Sequence, residues 1–194
     1  MHTNNSSKKE SIKFAAKKLF FQFGFTKTSM DDIAKQSHLA KPTLYYYYSN
    51  KESIFNEIVV DEARNFMDRV VEKLPKGQPV DEKIAYFFRT VHQDFKAYCN
   101  KISNFPEFLY DHYPHGRPIS DKINDLFKEK LRPLLQKGKK EGLLNFNDQE
   151  TTLSTLVIMT EFLNLDWMRR VPEKKRDSVV ETTIHIILNG LRRR

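Results

Sequence analysis

The chain has little of what most folds and most catalytic sites are built from. A single cysteine, Cys99, leaves no internal disulfide to form and suits a reducing compartment. Only six glycines occur in 194 residues, and no stretch shows the strict apolar–polar alternation of a half-buried strand. No apolar run approaches the ~20 residues needed to span a bilayer. The polar start MHTNNSSKKES has no signal-peptide core. Internal repeats and low-complexity tracts are also missing. No Gly-rich phosphate loop occurs, nor any Ser, His and Asp set in a context that would make a nucleophile. Asp111, His112 and His115, with His92, are possible metal donors, but beside a Pro-Gly turn they read as surface chemistry. With 39% hydrophobic and 30% charged residues, these gaps point to a soluble, cytoplasmic, all-α protein. No enzyme activity, cofactor, metal or membrane contact is expected of it.

What the sequence does have is helical periodicity from end to end. Ser7 and Glu10 form a capping box ahead of a stripe of Ile12, Ala15, Ala16, Leu19, Phe20 and Phe23, closed by Gly24. Ser29 caps a short helix with Asp31 and Asp32 in its first turn, which breaks near Ser37 and His38. A second short helix spans residues 41–48, with Pro42 in its first turn, where the missing N–H costs nothing. Ser49 and Glu52 form another capping box, opening a long connector helix over about 51–73. After the linker 74–79, helices are expected at about 80–99, 103–112, 119–141, 148–169 and 176–192, with a kink or break at Pro133. That makes about nine helices. They form an N-terminal three-helix domain (1–52) and a C-terminal bundle (53–194).

Charge and spacing both single out the N-terminal part. Residues 1–51 hold nine lysines against Glu10, Asp31 and Asp32, a surplus of six out of the chain's net +8. Such a surplus suits attraction to phosphates. Two short helices joined by a tight turn suit insertion of the second into a major groove. The side chains offered are Lys41, Thr43, Tyr46 and Tyr47, with Thr28, Ser29 and Lys51 as phosphate contacts at helix starts. Of the tyrosine run, Tyr45 and Tyr48 are expected to point inward and Tyr46 and Tyr47 outward, since four successive helical residues cannot share a face.

The run FGFTKTSMDDIAKQSHLAKPTLYYYYSNKESIF, residues 23–55, resembles the DNA-binding domain of the TetR/AcrR family of bacterial transcriptional regulators. The matching positions are Gly24-Phe25, Thr28-Ser29-Met30, Ile33-Ala34, Lys41-Pro42-Thr43-Leu44-Tyr45, Tyr47 and Lys51-Glu52. The resemblance makes residues 41–48 the recognition helix, with Pro42, Thr43, Tyr46 and Tyr47 at the DNA and Lys51 on a phosphate. Two positions depart from the family's habit: His38 stands where glycine is usual in the turn, and Tyr48 where phenylalanine is usual. The resemblance further implies a homodimer on a pseudo-palindromic double-stranded operator, and repression relieved by a small apolar or amphipathic effector.

For the effector, the sequence offers aromatic and apolar side chains at helical spacing in the C-terminal half. These are Phe87, Phe88, Val91, Phe95, Phe105, Phe108, Leu109, Tyr113, Phe127, Met159, Phe162 and Trp167. They either line a cavity or fill a core; spacing does not distinguish the two. The expected dimer interface is the apolar stripe of the last two helices: Leu153, Leu156, Val157 and Thr160, then Val180, Thr183, Ile184, Ile187 and Leu191.

Overall fold

Helical periodicity becomes helix nearly everywhere. A computed structural model describes the backbone of residues 2–101, 117–161 and 170–192, and the side chains of residues 5–94, 119–159 and 170–192. Among the described residues there are eight α-helices: α1 (His2–Phe23), α2 (Met30–Gln36), α3 (Lys41–Tyr47), α4 (Lys51–Glu72), α5 (Val80–Lys101), α6 (Arg117–Lys140), α7 (Gln149–Glu161) and α8 (Glu173–Leu191). The expected helix at 103–112 and the end of the one at 148–169 lie outside the described residues. No described helix is long and apolar enough to cross a membrane, and no described group of His, Cys, Asp or Glu could hold a metal.

The chain divides into two compact units. The first contains α1, α2, α3 and α4 through Ala63; the second takes α4 from Arg64 onward, α5, α6 from Ser120, α7 and α8. In the first unit, Ile12, Ala16, Leu19 and Phe20 of α1 pack with Ile33, Ala34, Leu44, Ile54, Phe55 and Ile58. Phe20, Phe25 and Phe55 form an aromatic trio with ring centroids 5.2 to 5.7 Å apart in tilted and edge-on contacts.

Two capping expectations shift. Helix α1 already runs from His2, so Ser7 lies inside it; no breaker stands between His2 and Ser7, and Glu10 instead pairs with Lys13 at 2.7 Å. At α4 the cap is Asn50 rather than Ser49. Its side-chain oxygen accepts from the Ser53 amide at 2.8 Å, while the Ser53 hydroxyl donates to the Asn50 carbonyl at 2.7 Å.

In the second unit, α5 packs on α8 around Val80, Ile84, Phe87, Phe88, Leu131, Leu135, Leu153, Val180, Ile184 and Ile187. Arg89 of α5 donates two hydrogen bonds to Glu181 of α8, at 2.6 and 2.8 Å. Pro133 does not break α6, which is continuous to Lys140. The proline sits on the exposed side, where the Glu129 carbonyl it leaves without a helical donor can turn to water.

Candidate nucleic-acid interface

The turn between α2 and α3 is set by local hydrogen bonds. Ser29 and Asp32 form a reciprocal capping box: the Ser29 hydroxyl accepts from the Asp32 amide at 3.2 Å, and the Asp32 carboxylate accepts from the Ser29 amide at 3.0 Å. The Ser29 hydroxyl, which also donates to this carboxylate, and then the Ser29 amide hold the Asp32 carboxyl below its usual range. At the other end His38 is left-handed, φ 55°. The His38 amide donates to the Lys35 carbonyl at 3.2 Å and the Leu39 amide to that of Ala34 at 3.0 Å. This is a Schellman closure with histidine in the place that favours glycine.

Helix α3 follows with Pro42 in its first turn. Leu44 is fully buried and Tyr48, its C-cap, is 4% exposed. Those two fix the inward face, so Tyr45 (45% exposed) and Tyr46 (79%) project into solvent. The expectation that Tyr45 points inward is therefore corrected. Tyr45 lies 100° round the helix from Leu44; counting from Leu44, not from the tyrosine run, finds it. Tyr47 is half-buried against the core and meets Tyr46 edge-on at 5.1 Å. Thr43 is half-buried, and Lys41 and Pro42 are exposed. Lys41 pairs with Asp31 of α2 at 2.7 Å, and that carboxylate holds its ammonium above the usual range. The buried Tyr48 phenol, with the Glu57 carboxylate as neighbour, is pushed up by burial and by that charge.

The three side chains expected at helix starts are all engaged within the protein. Thr28 is 3% exposed and its hydroxyl donates to the Gly24 carbonyl at 2.8 Å. The Ser29 hydroxyl donates to Asp32 at 2.6 Å. The Lys51 ammonium donates to the carbonyls of Phe25 (2.9 Å), Thr26 (3.3 Å) and Thr28 (3.0 Å).

Several of the lysines also turn inward. Lys9, Lys13 and Lys17 of α1 meet Glu57, Asp61 and Glu62 of α4: Lys9–Glu57 at 3.3 Å, Lys13–Asp61 at 2.5 Å and Lys17–Glu62 at 2.6 Å. Burial of Lys13 opposes its charge, yet the Asp61 and Glu10 carboxylates raise its pKa overall.

Of the side chains proposed for an effector, Phe87 (0% exposed) and Phe88 (2%) are core, while Val91, Phe127 and Met159 pack partly buried against the same cluster. Phe87 meets Phe127 edge-on at 6.0 Å. The side chains of Phe95, Phe105, Phe108, Leu109, Tyr113, Phe162 and Trp167 lie outside the described residues. A cleft of about 20 Å³ between α5 and α8, bordered by Arg89, His92, Gln93, Asp177, Val180 and Glu181, is large enough for one water and too small for an effector.

The stripe assigned to the dimer faces this chain's own core. Leu153, Leu156, Val157, Val180, Ile184, Ile187 and Leu191 are all under 9% exposed; Thr183 is half-buried, and the Thr160 side chain lies outside the described residues. The apolar side chains that α7 and α8 do show to solvent are Ile158 (53%) and Ile186 (58%). Ile158 shares its face with Thr151 and Thr155, and Ile186 with Thr182, all exposed.

Comparison with known proteins bears on this arrangement. Residues 14–58 match the family model described as bacterial regulatory proteins, tetR family. An uncharacterized HTH-type transcriptional regulator of Bacillus subtilis, YhgD, is 23% identical, and the match covers 95% of this chain and 96% of that protein. IcaR of Staphylococcus epidermidis, a negative transcriptional regulator of a biofilm operon, is 29% identical over 47% of this chain and 51% of its own length. Among solved structures, Thermus thermophilus FadR, a transcriptional repressor in complex with lauroyl-CoA, superposes with TM-score 0.64 at 22% identity, covering 96% of each chain.

Proposed function

The chain belongs to the TetR family of bacterial regulatory proteins, and from that premise we propose that it is a dimeric, cytoplasmic, ligand-responsive repressor that reads DNA through α3. The observation that carries this reading is the tyrosine face of α3, exposed behind a capped α2 and a left-handed turn. Within α3 there is no arginine, asparagine or glutamine to bind guanine or adenine bidentately. Tyr45, Tyr46 and Pro42 instead suit apolar contact with thymine methyls, and the phenol hydroxyls suit phosphate oxygens.

A second copy would dock on the exposed face of α7 and α8 around Ile158 and Ile186, placing two heads on the halves of a pseudo-palindrome. The effector is apolar or amphipathic, in keeping with the lauroyl-CoA in Thermus thermophilus FadR, and its site includes the partly buried Val91, Phe127 and Met159. Helix α4 contributes to both units, and the Lys9, Lys13 and Lys17 ladder ties it to α1. An effector that prefers the α4 position of the non-binding state lowers DNA affinity by that difference in preference and no more.

The test is selection of bound duplexes from random DNA, followed by Tyr46→Ala. Removal of this ring should weaken binding on the order of tenfold or more with the melting temperature unchanged. Undiminished affinity in a folded variant sinks the assignment of α3. Release of the selected duplex by a panel of acyl-CoAs tests the effector arm separately.

A further inference from the structure

Lys51 opens α4 just past the recognition helix, the place where a lysine reads most readily as a phosphate contact. Its surroundings give it other work. An ammonium has three donors and no acceptor, and here three carbonyls receive them: Phe25 at 2.9 Å, Thr26 at 3.3 Å and Thr28 at 3.0 Å. The same nitrogen lies 4.5 Å from the centroid of the Phe25 ring, and that ring is itself buried in the trio with Phe20 and Phe55. The turn it grips also carries two bonds of its own, from the Thr28 hydroxyl to the Gly24 carbonyl (2.8 Å) and from the Thr28 amide to the Phe25 carbonyl (3.3 Å). A phosphate that drew Lys51 away would strip the charged donor from three carbonyls of a part-buried turn, and such a loss is costly.

We propose that Lys51 is a positioning residue: by gathering the carbonyls of the α1–α2 turn, it fixes the start of α2 against the exit of α3 and so aims α3 at the groove. The inference rests on the DNA-binding reading above. It has a geometric corollary. Three carbonyls converging on one point suit a compact ammonium with rotatable donors, and they do not suit the planar fork of a guanidinium. Arginine binds phosphate at least as well as lysine does, so Lys51→Arg separates the two roles.

The experiment uses the full chain and its selected duplex. Lys51→Arg and Lys51→Met are compared with the unaltered protein by binding titrations at several salt concentrations, at a temperature where circular dichroism shows each variant folded. Amide hydrogen exchange is followed across residues 24–32 of the free protein. Positioning predicts that both variants lose affinity on the order of tenfold, that the slope of log K against log salt is unchanged, and that protection falls across residues 24–32. Restoration of affinity by arginine would overturn the proposal. So would a salt slope shallower by about 2 in Lys51→Met, the change expected when one lysine on each of the two heads ceases to neutralise a phosphate. Unchanged exchange across residues 24–32 would also overturn it, and that readout needs no DNA. Failure of the unaltered chain to bind any duplex overturns the function proposed above, an outcome distinct from binding by the unaltered chain with a rescued arginine variant.

Discussion

Gly138 in the last turn of α6 offers a test of packing in which two effects of opposite sign compete. Alanine normally stabilises a helix interior over glycine by ~1 kcal/mol. A Cβ at Gly138, however, would stand 2.5 Å from Leu144 Cδ1, 2.6 Å from Leu144 Cγ and 2.7 Å from Val80 Cγ1. Neither neighbour can retreat easily. Leu144 is 3% exposed, its amide donates to the Gly138 carbonyl at 3.1 Å, and its backbone bridges to Arg192. Val80, 1% exposed at the start of α5, is stiff at χ1. Overpacking of this kind costs about 1–3 kcal/mol, so Gly138→Ala should be a net destabilisation of roughly 1–2 kcal/mol once the helical gain is subtracted. In a protein of this size each kcal/mol moves the melting temperature by about 2–4 °C. Gly190→Ala in α8 is the matched control: nothing lies within 4 Å of its Cβ position, and a gain of about 0.5–1 kcal/mol is expected. Scanning calorimetry of both variants decides the matter. A melting temperature for Gly138→Ala equal to or above that of the unaltered protein would refute the reasoning.

Three further outcomes are expected. Lys13, whose side chain is 11% exposed beside Glu10, Glu57 and Asp61, should cost about 1–2 kcal/mol when changed to Met; adding Asp61→Asn should recover part of that loss in a double-mutant cycle read by denaturant unfolding. Asp32 (bonded by Ser29), Asp148 (by Thr151), Glu150 (by Arg132) and Glu181 (by Arg89) have carboxyls held below their ordinary values of 3.8 and 4.5. Their folded pKa values lie below the unfolded ones, so their stabilisation is complete above those values and is lost as pH falls through them; an unfolding midpoint that stays flat from pH 6 to about pH 3 would contradict this. Ile158→Glu together with Ile186→Glu should shift sedimentation from dimer to monomer with helix content intact, whereas Leu153→Glu should unfold the second unit.

The helix-turn-helix was readable because its signals are local. The Ser29 cap, the aspartates in the first turn and Pro42 each act within one helical turn, and the boundaries of α2 and α3 fall within a residue or two of where those signals put them. The caps of α1 and α4 were less readable for an equally local reason. Ser49–Glu52 and Asn50–Ser53 carry the same spacing one residue apart, and only the backbone at the start of α4 chooses between them. The dimer stripe was unreadable in principle. An apolar repeat on a helix says that a face is buried and is silent on which chain buries it; Leu153, Leu156, Ile184 and Ile187 turned to their own core. The same ambiguity covers Phe87 and Phe88, which fill space where a cavity was equally consistent with their spacing.

Electrostatics is where linear order and arrangement in space diverge most. Residues 1–51 look strongly cationic, yet residues 1–63 contain nine lysines and seven carboxylates. Glu57, Asp61 and Glu62 return along α4 to meet Lys9, Lys13 and Lys17, and Asp31 holds Lys41. Lys51 is spent on carbonyls. Few of the nine lysines are then left to displace counterions from DNA, and the exposed Lys27, just before α2, and Lys35, in its last turn, are the nearest of these to α3 in sequence. Since the salt dependence of binding rises by roughly 0.9 for each phosphate neutralised, its slope should correspond to only a few phosphates per head. On the function proposed above, affinity then depends chiefly on short-range contacts of Tyr45, Tyr46 and Pro42 with base edges and sugars. A slope approaching nine phosphates per head would mean that the α1–α4 ladder opens on DNA, and the inward pairing of those lysines would no longer describe the bound state.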